Sequence, residues 1–353
     1  MAIHTVSESA KPSRRIWKVV AGIMVVLILV ALGLGLYGYN YYQQALEPVK
    51  AEGVEEKITI HPGSSTVRIA NLLWEKNLIR EPNMFRLYTR INNYDGRLKA
   101  GEYILSGTMS TPEIVAKIVA GTVVTYPFTI PEGYTLKQIA KVLSDKGMVD
   151  EELFIELLER GSFDFPYLDQ LLEGANRFEG FLFPDTYYIT SYMTEKDIIQ
   201  MMLNRFLKVV TPEVVKTVAD QGLSLLELVT IAAMIERESS VDADSPKIAG
   251  VIYNRLAIGM PLQIDATVIY AHGEHINRVL HKHLEIDSPY NTYKYPGIPL
   301  GPIAAPGAKS IMAALEPEEH NFYYYVLKPD GSHHFSRNLS EHNRAVQQYL
   351  RNR

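Results

Sequence analysis

An α+β protein carried on a single N-terminal transmembrane helix is the fold class that the sequence predicts. Three observations carry that reading. The run from Val19 to Leu46 is uncharged and apolar, a strand–helix–helix–strand pattern occurs twice between residues 58 and 189, and a nearly all-apolar helix near residue 230 ends in "ERESS" (236–240) before loops rich in proline, glycine and tyrosine. With 353 residues there is length for more than one hydrophobic core.

The N-terminal stretch "VVAGIMVVLILVALGLGLYGY" comes first. A helix needs ~20 apolar residues to cross a bilayer core, and this run has them. It is too long for a cleaved signal peptide, and no small-x-small cleavage site follows it. Trp17 stands at one end and Tyr37, Tyr39, Tyr41 and Tyr42 at the other, as interfacial aromatic belts would. Lys11, Arg14, Arg15 and Lys18 precede the span against Glu8 alone, so the N-terminus is expected to be cytoplasmic and the remainder exported. The expected division is a cytoplasmic tail (1–18), a transmembrane helix (19–42) and a linker (43–56). The expected location is the cell inner membrane, crossed once, with the body in the periplasm or its equivalent.

The body is an ordinary folded protein by composition, with 47% apolar and 21% charged residues. It contains no cysteine, which excludes disulfides and thiolate metal sites. The net charge is −5, and without basic runs beyond the N-terminus nucleic acid is not the expected partner.

Within the body, "ITIHPGSSTVRIANLLWEKNLI" (58–79) aligns with "FTIPEGYTLKQIAKVLSDKGMV" (128–149) at an offset of 70. Each copy reads as a short strand, a glycine turn and an amphipathic helix. A second helix follows ("EPNMFRLYTRI" or "DEELFIELLER"), then an aromatic strand ("GEYIL" or "DTYYI"). A unit of this order and size resembles a LysM-like module, a type that binds N-acetylated glycan chains, although a spacer role fits the pattern as well. The region assigned to it is 57–210. The aromatics of "FEGFLFPDTYYI" (178–189) suit either a core or a sugar-stacking groove.

From residue 211 onward the chain carries the chemistry. Ser224 and Glu227 form an S-x-x-E capping box, so a helix is expected from about residue 225. Leu225, Leu228, Ile231, Ala232 and Ile235 make its buried stripe, which Leu226, Val229 and Met234 widen. Glu236 and Glu238 close this helix with side chains ~200° apart, so they are not expected to work as a carboxylate pair. One would line a cleft and the other would be structural, paired with Arg237, Arg255 or Lys247. A carboxylate at a helix C-terminus has its pKa raised by the dipole, which suits a general acid. Taken alone, a buried ion pair is the commoner explanation for such a residue. Asn254, Arg255, Gln263, Asp265 and Thr267 then fall among apolar residues, and "HHFSRNLSEHN" adds His334, Ser336, Asn338, His342 and Asn343. Amides, hydroxyls and tyrosines with few fixed charges suit a neutral polyhydroxylated substrate better than an anionic one.

The succession "ERES", "NRLAIGMPLQIDATVIYA", "SPYNTYKYPGIPLGPIAAPG" and "HFSRNLSEHN" behind one membrane span resembles the MltG (YceG-like) family of endolytic murein transglycosylases. The resemblance runs from the anchor onward and is strongest over 224–345. It implies a LysM-like region followed by an α+β lytic transglycosylase catalytic domain (211–353). It also implies a cofactor-free lyase that cuts the MurNAc–GlcNAc β-1,4 bond inside nascent peptidoglycan strands. The products would carry 1,6-anhydro-MurNAc ends, strand elongation would stop, and the partners would be glycan strands and peptidoglycan synthases. Lytic transglycosylases carry their acid in a Glu-Ser pair, which Glu238-Ser239 matches and Glu236-Arg237 does not. Glu238 is therefore the expected acid/base. Ser239, Gln263, Asp265, Tyr290, Asn291, Tyr293 and Asn338 are the expected substrate contacts, with Glu236, Asn254 and Arg255 behind them.

Two other chemistries compete. A zinc site would draw on His272, His275, His281 and His283, but these form no H-E-x-x-H. A serine hydrolase would need a G-x-S-x-G, which is absent. A non-catalytic, membrane-anchored scaffold that binds peptidoglycan and organises its synthases remains the rival reading.

Overall fold

The computed structural model describes residues 14–350 apart from 275 and 277. Most of the expected cytoplasmic tail, and His275 of the histidine-rich stretch, lie outside the described residues. The chain forms two compact units, Met1–Thr125 and Tyr126–Arg353. The boundary expected between a repeat region (57–210) and the segment 211–353 does not coincide with this division, because the second repeat copy shares one hydrophobic core with the helices beyond residue 211.

The first unit opens with helix α1 (Arg14–Leu46), whose stretch Trp17–Leu46 is long and apolar enough to cross a membrane. Residues 43–46, expected in a linker, continue the helix, and Ala45 and Leu46 are buried. The segment after them is pinned: the Arg80 guanidinium donates to the Pro48 carbonyl at 2.7 Å, and the Lys50 N–H to the Gly107 carbonyl at 3.0 Å. Strand β1 (Glu56–Ile60), helices α2 (Thr66–Glu75) and α3 (Pro82–Ile91), strand β2 (Gly101–Leu105) and helix α4 (Thr111–Ala120) come next. β1 and β2 pair antiparallel with Ile58 opposite Tyr103, so alternate residues of both strands enter a core with Ile69, Leu73, Phe85 and Ile118.

The second unit repeats the pattern. Strand β3 (Tyr126–Thr129), helices α5 (Leu136–Asp145) and α6 (Glu151–Arg160) and strand β4 (Thr186–Ile189) recur in the expected order. Phe128 pairs with Tyr187, their rings stacked at 5.2 Å, where the first copy has Ile58 against Tyr103. In both copies a positive-φ glycine makes the turn (Gly63 and Gly133) and a hydroxyl residue caps the helix (Ser65 and Thr135). Of the aromatic stretch 178–189, Phe178, Phe181, Phe183 and Tyr187 are buried and Tyr188 is exposed, so the stretch is mostly core.

The remaining elements are helices α7 (Glu195–Val209), α8 (Pro212–Asp220), α9 (Leu225–Glu238), α10 (Ser245–Ala257), α11 (Asp265–His272) and α12 (Ala308–Leu315), the hairpin β5 (Tyr324–Leu327) and β6 (His333–Ser336), and helix α13 (Leu339–Leu350). Helix α9 starts at the expected capping box, with the Glu227 N–H on Ser224 Oγ and the Ser224 N–H on the Glu227 carboxylate. Its residues 228–235 are all buried, and α8, α10, α11 and α12 pack around it. The unit is thus built around a helix with one polar end.

Candidate active site

Burial of residues 228–235 confines the charges of α9 to its ends, Glu227 in the capping box and two glutamates in the last turn, and those two go to different neighbours. Glu236 accepts from the Gly307 N–H (3.0 Å) and from Ser310 Oγ (2.8 Å), so it caps the start of α12. This is the structural carboxylate expected, but its partners are a helix N-terminus and a hydroxyl instead of Arg237, Arg255 or Lys247. An orphan N–H at a helix start offers a carboxylate both a donor and a favourable dipole. Arg237 donates to the Gly133 carbonyl at 3.2 Å and so ties the turn of the second repeat copy to the end of α9.

Glu238 turns to the hairpin. Among the described residues its carboxylate accepts one hydrogen bond, from the Tyr325 hydroxyl of β5 at 3.0 Å. Burial is the first cause of a pKa raised to about 7; the nearby Asp265 charge adds to the rise, while the Tyr325 hydrogen bond, Arg237 and Arg255 oppose it. The direction agrees with expectation, and the leading cause is desolvation, not the helix dipole. The Tyr325 hydroxyl is itself pushed well above its ordinary value by burial and by Glu238, so it serves as a donor.

Behind Tyr325 stands a rigid support. His333 on β6 meets its ring edge to face at 5.5 Å, and Asp244 accepts both the His333 N–H (2.6 Å) and a contact from its Nδ1 (3.1 Å). Tyr325, His333 and Asp244 were not among the expected site residues. A detectable signal existed in "YYYVLKPDGSHHFS", two aromatic strands around a P-D-G turn, but spacing does not say which tyrosine meets the glutamate.

The other wall is made by residues 262–267 and the loop of the 290s. Asp265 begins α11 and accepts from the Tyr293 hydroxyl at 2.5 Å; Tyr293 is also within electrostatic reach of Glu238 and Arg255. Gln263 has φ +53°, a left-handed conformation that costs a non-glycine residue roughly 1–3 kcal/mol. Its side chain is exposed. Thr292 holds this strained turn in place: its carbonyl accepts from the Gln263 N–H (3.1 Å), and its hydroxyl accepts from the Ile264 N–H (3.0 Å) beside Thr267 Oγ1 (2.9 Å).

Arg255 is buried and forms no ion pair among the described residues. It donates to the carbonyls of Tyr323 (2.6 Å), Leu262 (2.6 Å) and Pro261 (3.2 Å). One guanidinium therefore fastens the start of the Tyr325 strand to the chain just before Gln263. Asn254 does similar service, its amide donating to the carbonyls of His320 (2.8 Å) and Phe322 (2.9 Å).

Several expected substrate contacts are placed otherwise. Ser239 Oγ donates to the Val241 carbonyl and accepts from Ser245 Oγ (both 2.9 Å), shaping the turn into α10 without orienting Glu238. Asn291 is fully buried; its amide donates to the Leu284 and Ile286 carbonyls, and its oxygen accepts the Tyr293 and Lys294 N–H groups, which exhausts its capacity. Tyr290 is buried against Tyr270, with ring centres 4.9 Å apart. Asn338 caps α13 by accepting the Glu341 N–H at 2.9 Å and donating to its carboxylate. All four are engaged within the fold: Ser239, Asn291 and Asn338 through hydrogen bonds that shape a turn, a loop and a helix start, and Tyr290 through its ring against Tyr270. His272 and His283 pack edge to face at 5.4 Å, and no group of three or more His, Asp or Glu side chains converges among the described residues.

Glu238, Tyr325, Asp265, Tyr293 and the exposed Gln263 remain as one polar constellation. Its chemistry is that of one carboxyl, Glu238, raised to hold or release a proton near neutral pH, with a second, exposed carboxylate at Asp265 and hydroxyl and amide groups around them.

Comparison with known proteins shows the family. The model of the YceG-like family matches residues 58–348. The chain is 37% identical over 328 residues to a Bacillus subtilis (strain 168) protein named endolytic murein transglycosylase, a match covering 88% of this chain and 90% of that one. It is 32% identical over 343 residues to a protein of the same name from Streptococcus pneumoniae serotype 2, with 89% of this chain and 62% of that protein covered. A crystal structure of a YceG-like protein from Listeria monocytogenes superposes with a TM-score of 0.55 at 33% identity, over 83% of this chain and 100% of that one. A match that spans both repeat copies and the whole polar constellation identifies the relationship: the chain belongs to the YceG-like family.

Proposed function

We propose that the chain is a membrane-anchored endolytic murein transglycosylase in which Glu238 is both general acid and general base. The observation that carries this reading is the Glu238 carboxyl itself, desolvated to a pKa of about 7 and given a single donor, the Tyr325 hydroxyl. A carboxyl so tuned can give a proton and take one back at the same pH. Relatives that cover most of the chain bear the name endolytic murein transglycosylase, and that supplies the substrate.

The steps balance without water. Glu238 protonates the oxygen of the MurNAc–GlcNAc bond, which breaks, and the MurNAc N-acetyl oxygen stabilises the anomeric carbon. Glu238, now a carboxylate, takes the proton of the C6 hydroxyl as that oxygen attacks the anomeric carbon. The products are a free GlcNAc hydroxyl and a 1,6-anhydro-MurNAc end. Tyr325 steadies the carboxylate in the second half, and the exposed Gln263 offers an amide to the acetamido or hydroxyl groups of the sugar. Asp265, held by Tyr293, contributes charge rather than a second nucleophile. Orientation follows the positive-inside pattern of the first residues, with the two compact units outside the cytoplasm, where cuts in nascent strands would end their elongation alongside the synthases.

The test is mass spectrometry of purified sacculi digested by the protein, wild type beside Glu238→Gln. Ends of the 1,6-anhydro type, lighter than hydrolysed ends by one water and missing with the variant, support the reading. Reducing MurNAc ends would make the protein a hydrolase. Strand binding without cleavage by either form would favour the scaffold.

A further inference from the structure

Helix α3 carries two faces. Phe85 and Thr89 are fully buried in the core of the first unit. Met84, Leu87 and Ile91, at i, i+3 and i+7, form a second stripe roughly 150° away at 100° per residue. Leu87 is 40% exposed and Ile91 60%, although they are apolar and adjacent. Arg86 and Arg90 lie to one side of that stripe, both exposed, with Arg90 3.9 Å from the Asp95 carboxylate. Apolar side chains in line on an outer face, with arginines beside them, are the pattern of a helix lying at a lipid–water boundary.

What places a lipid surface there is the contact between α3 and α1. The Tyr41 hydroxyl donates to the Glu81 carboxylate at 3.4 Å, and Tyr42 lies close to Tyr88. Seven residues of α3, ~10 Å of helix, thus meet two successive residues of α1, so α3 runs across α1 and not along it. If the span begins near Lys18, ~20 residues bring the outer hydrocarbon edge close to Tyr37–Tyr39. Tyr41 and Tyr42 then stand only ~5 Å beyond that edge, and a helix ~10 Å wide crossing there has its lower side at the boundary. The rest of the unit is fastened farther out, where Ala45 and Leu46 at the end of α1 are buried and where Pro48 and Lys50 just beyond it are hydrogen-bonded to Arg80 and Gly107. The core face of α3 therefore looks away from the bilayer and the Met84–Leu87–Ile91 stripe looks toward it.

We propose that α3 is an interfacial helix: its Met84, Leu87 and Ile91 face enters the outer leaflet beside α1, with Arg86 and Arg90 reaching lipid phosphates. The occupant of this face is lipid, and the inference rests on the reading of α1 as a membrane anchor. It gives the first unit a set orientation on the membrane, where a helix anchor alone would let it swivel.

Because the chain has no cysteine, single-site labelling tests this in the full chain, reconstituted in vesicles of phosphatidylcholine and phosphatidylglycerol. An environment-sensitive fluorophore is placed by Ile91→Cys, by Leu29→Cys in mid-span, and by Ala116→Cys on the exposed side of α4. Expected are blue-shifted emission and quenching by brominated acyl chains at positions 29 and 91, deep and shallow respectively. Position 116 should be quenched by aqueous iodide alone. Adding Met84→Glu and Leu87→Glu should red-shift the label at 91 and leave the label at 29 unchanged. Lipid contact at 29 with iodide access at 91 overturns the interfacial helix and spares the anchor. Shielding of 91 from both quenchers means that protein covers the face, which also overturns it. Iodide access at 29 and 91 alike removes the anchor reading and this inference together.

Discussion

The two sides of the α9 C-terminus are built on opposite plans from nearly the same residue. On the Glu236 side the carboxylate receives a backbone N–H and a serine hydroxyl, and Gly133 and Gly307 let the surrounding chain come close. A Cβ at Gly307 would stand 1.8 Å from the Glu132 carboxylate, so a larger residue there would have to displace the Glu132 side chain. On the Glu238 side a similarly placed carboxylate receives one phenol and is otherwise desolvated. A carboxylate whose lone pairs are filled by fixed donors becomes a clamp. One that is buried with a single donor stays near its protonation midpoint and free to exchange a proton.

The largest effect that would sharpen this contrast is in the rate. Glu238→Gln should lower strand cleavage ~10²–10⁴-fold, the usual weight of a positioned acid/base, with an unchanged thermal melt. Loss of folding together with activity would make Glu238 a clamp like its neighbour. Glu236→Ala should instead cost roughly 1–3 kcal/mol of stability by orphaning the Gly307 N–H and Ser310. Denaturant titration measures it, and cleavage per folded molecule should hold.

Glu179 offers a third case, because it takes two donors and still titrates late. It accepts from the Leu136 N–H (3.1 Å) and the Tyr270 hydroxyl (2.9 Å), yet burial raises its pKa to about 7. Its folded-state pKa lies above its ordinary one, so the folded chain binds the extra proton and stability falls as pH rises from about 4.5 through about 7. Glu179→Gln should therefore be more stable than wild type by roughly 1–3 kcal/mol at pH 8 and indistinguishable from it near pH 4.5. Melting curves across that range decide; a variant destabilised at every pH would show that the two hydrogen bonds outweigh the burial.

The smallest expected effects are paired and opposite in sign. Tyr325 lowers the Glu238 pKa and Asp265 raises it. Tyr325→Phe should move the alkaline limb of the rate profile upward, by up to about one pH unit, and Asp265→Asn should move it downward. Shifts in the same direction would mean that the profile reports another group.

Much of this layout can be read in the residues because it depends on local rules. Apolar length marks α1, a shared offset marks the two repeat copies, and Ser224 with Glu227 marks the start of α9. The ~200° between Glu236 and Glu238 is set by helical geometry, so their separate fates were foreseeable from spacing. Local spacing also misleads where side chains are short and loops are long. Ser239, Asn291 and Asn338 look like sugar-binding groups by type, but their polar atoms are engaged in a turn, a loop and a helix cap, and Tyr290 is buried against Tyr270.

The sequence by itself determined the anchor-length helix, the order of strands and helices, and the placing of two glutamates on different sides of the end of a buried helix. Each of these rests on contacts between residues a few positions apart. Only the tertiary structure decided that Tyr325, 87 positions downstream, donates to Glu238. It also showed that Thr292 holds Gln263 in a strained turn and that Arg255 joins the two walls of the site. Those choices depend on which surfaces meet once the core has closed, and burial sets the Glu238 pKa only after they have met.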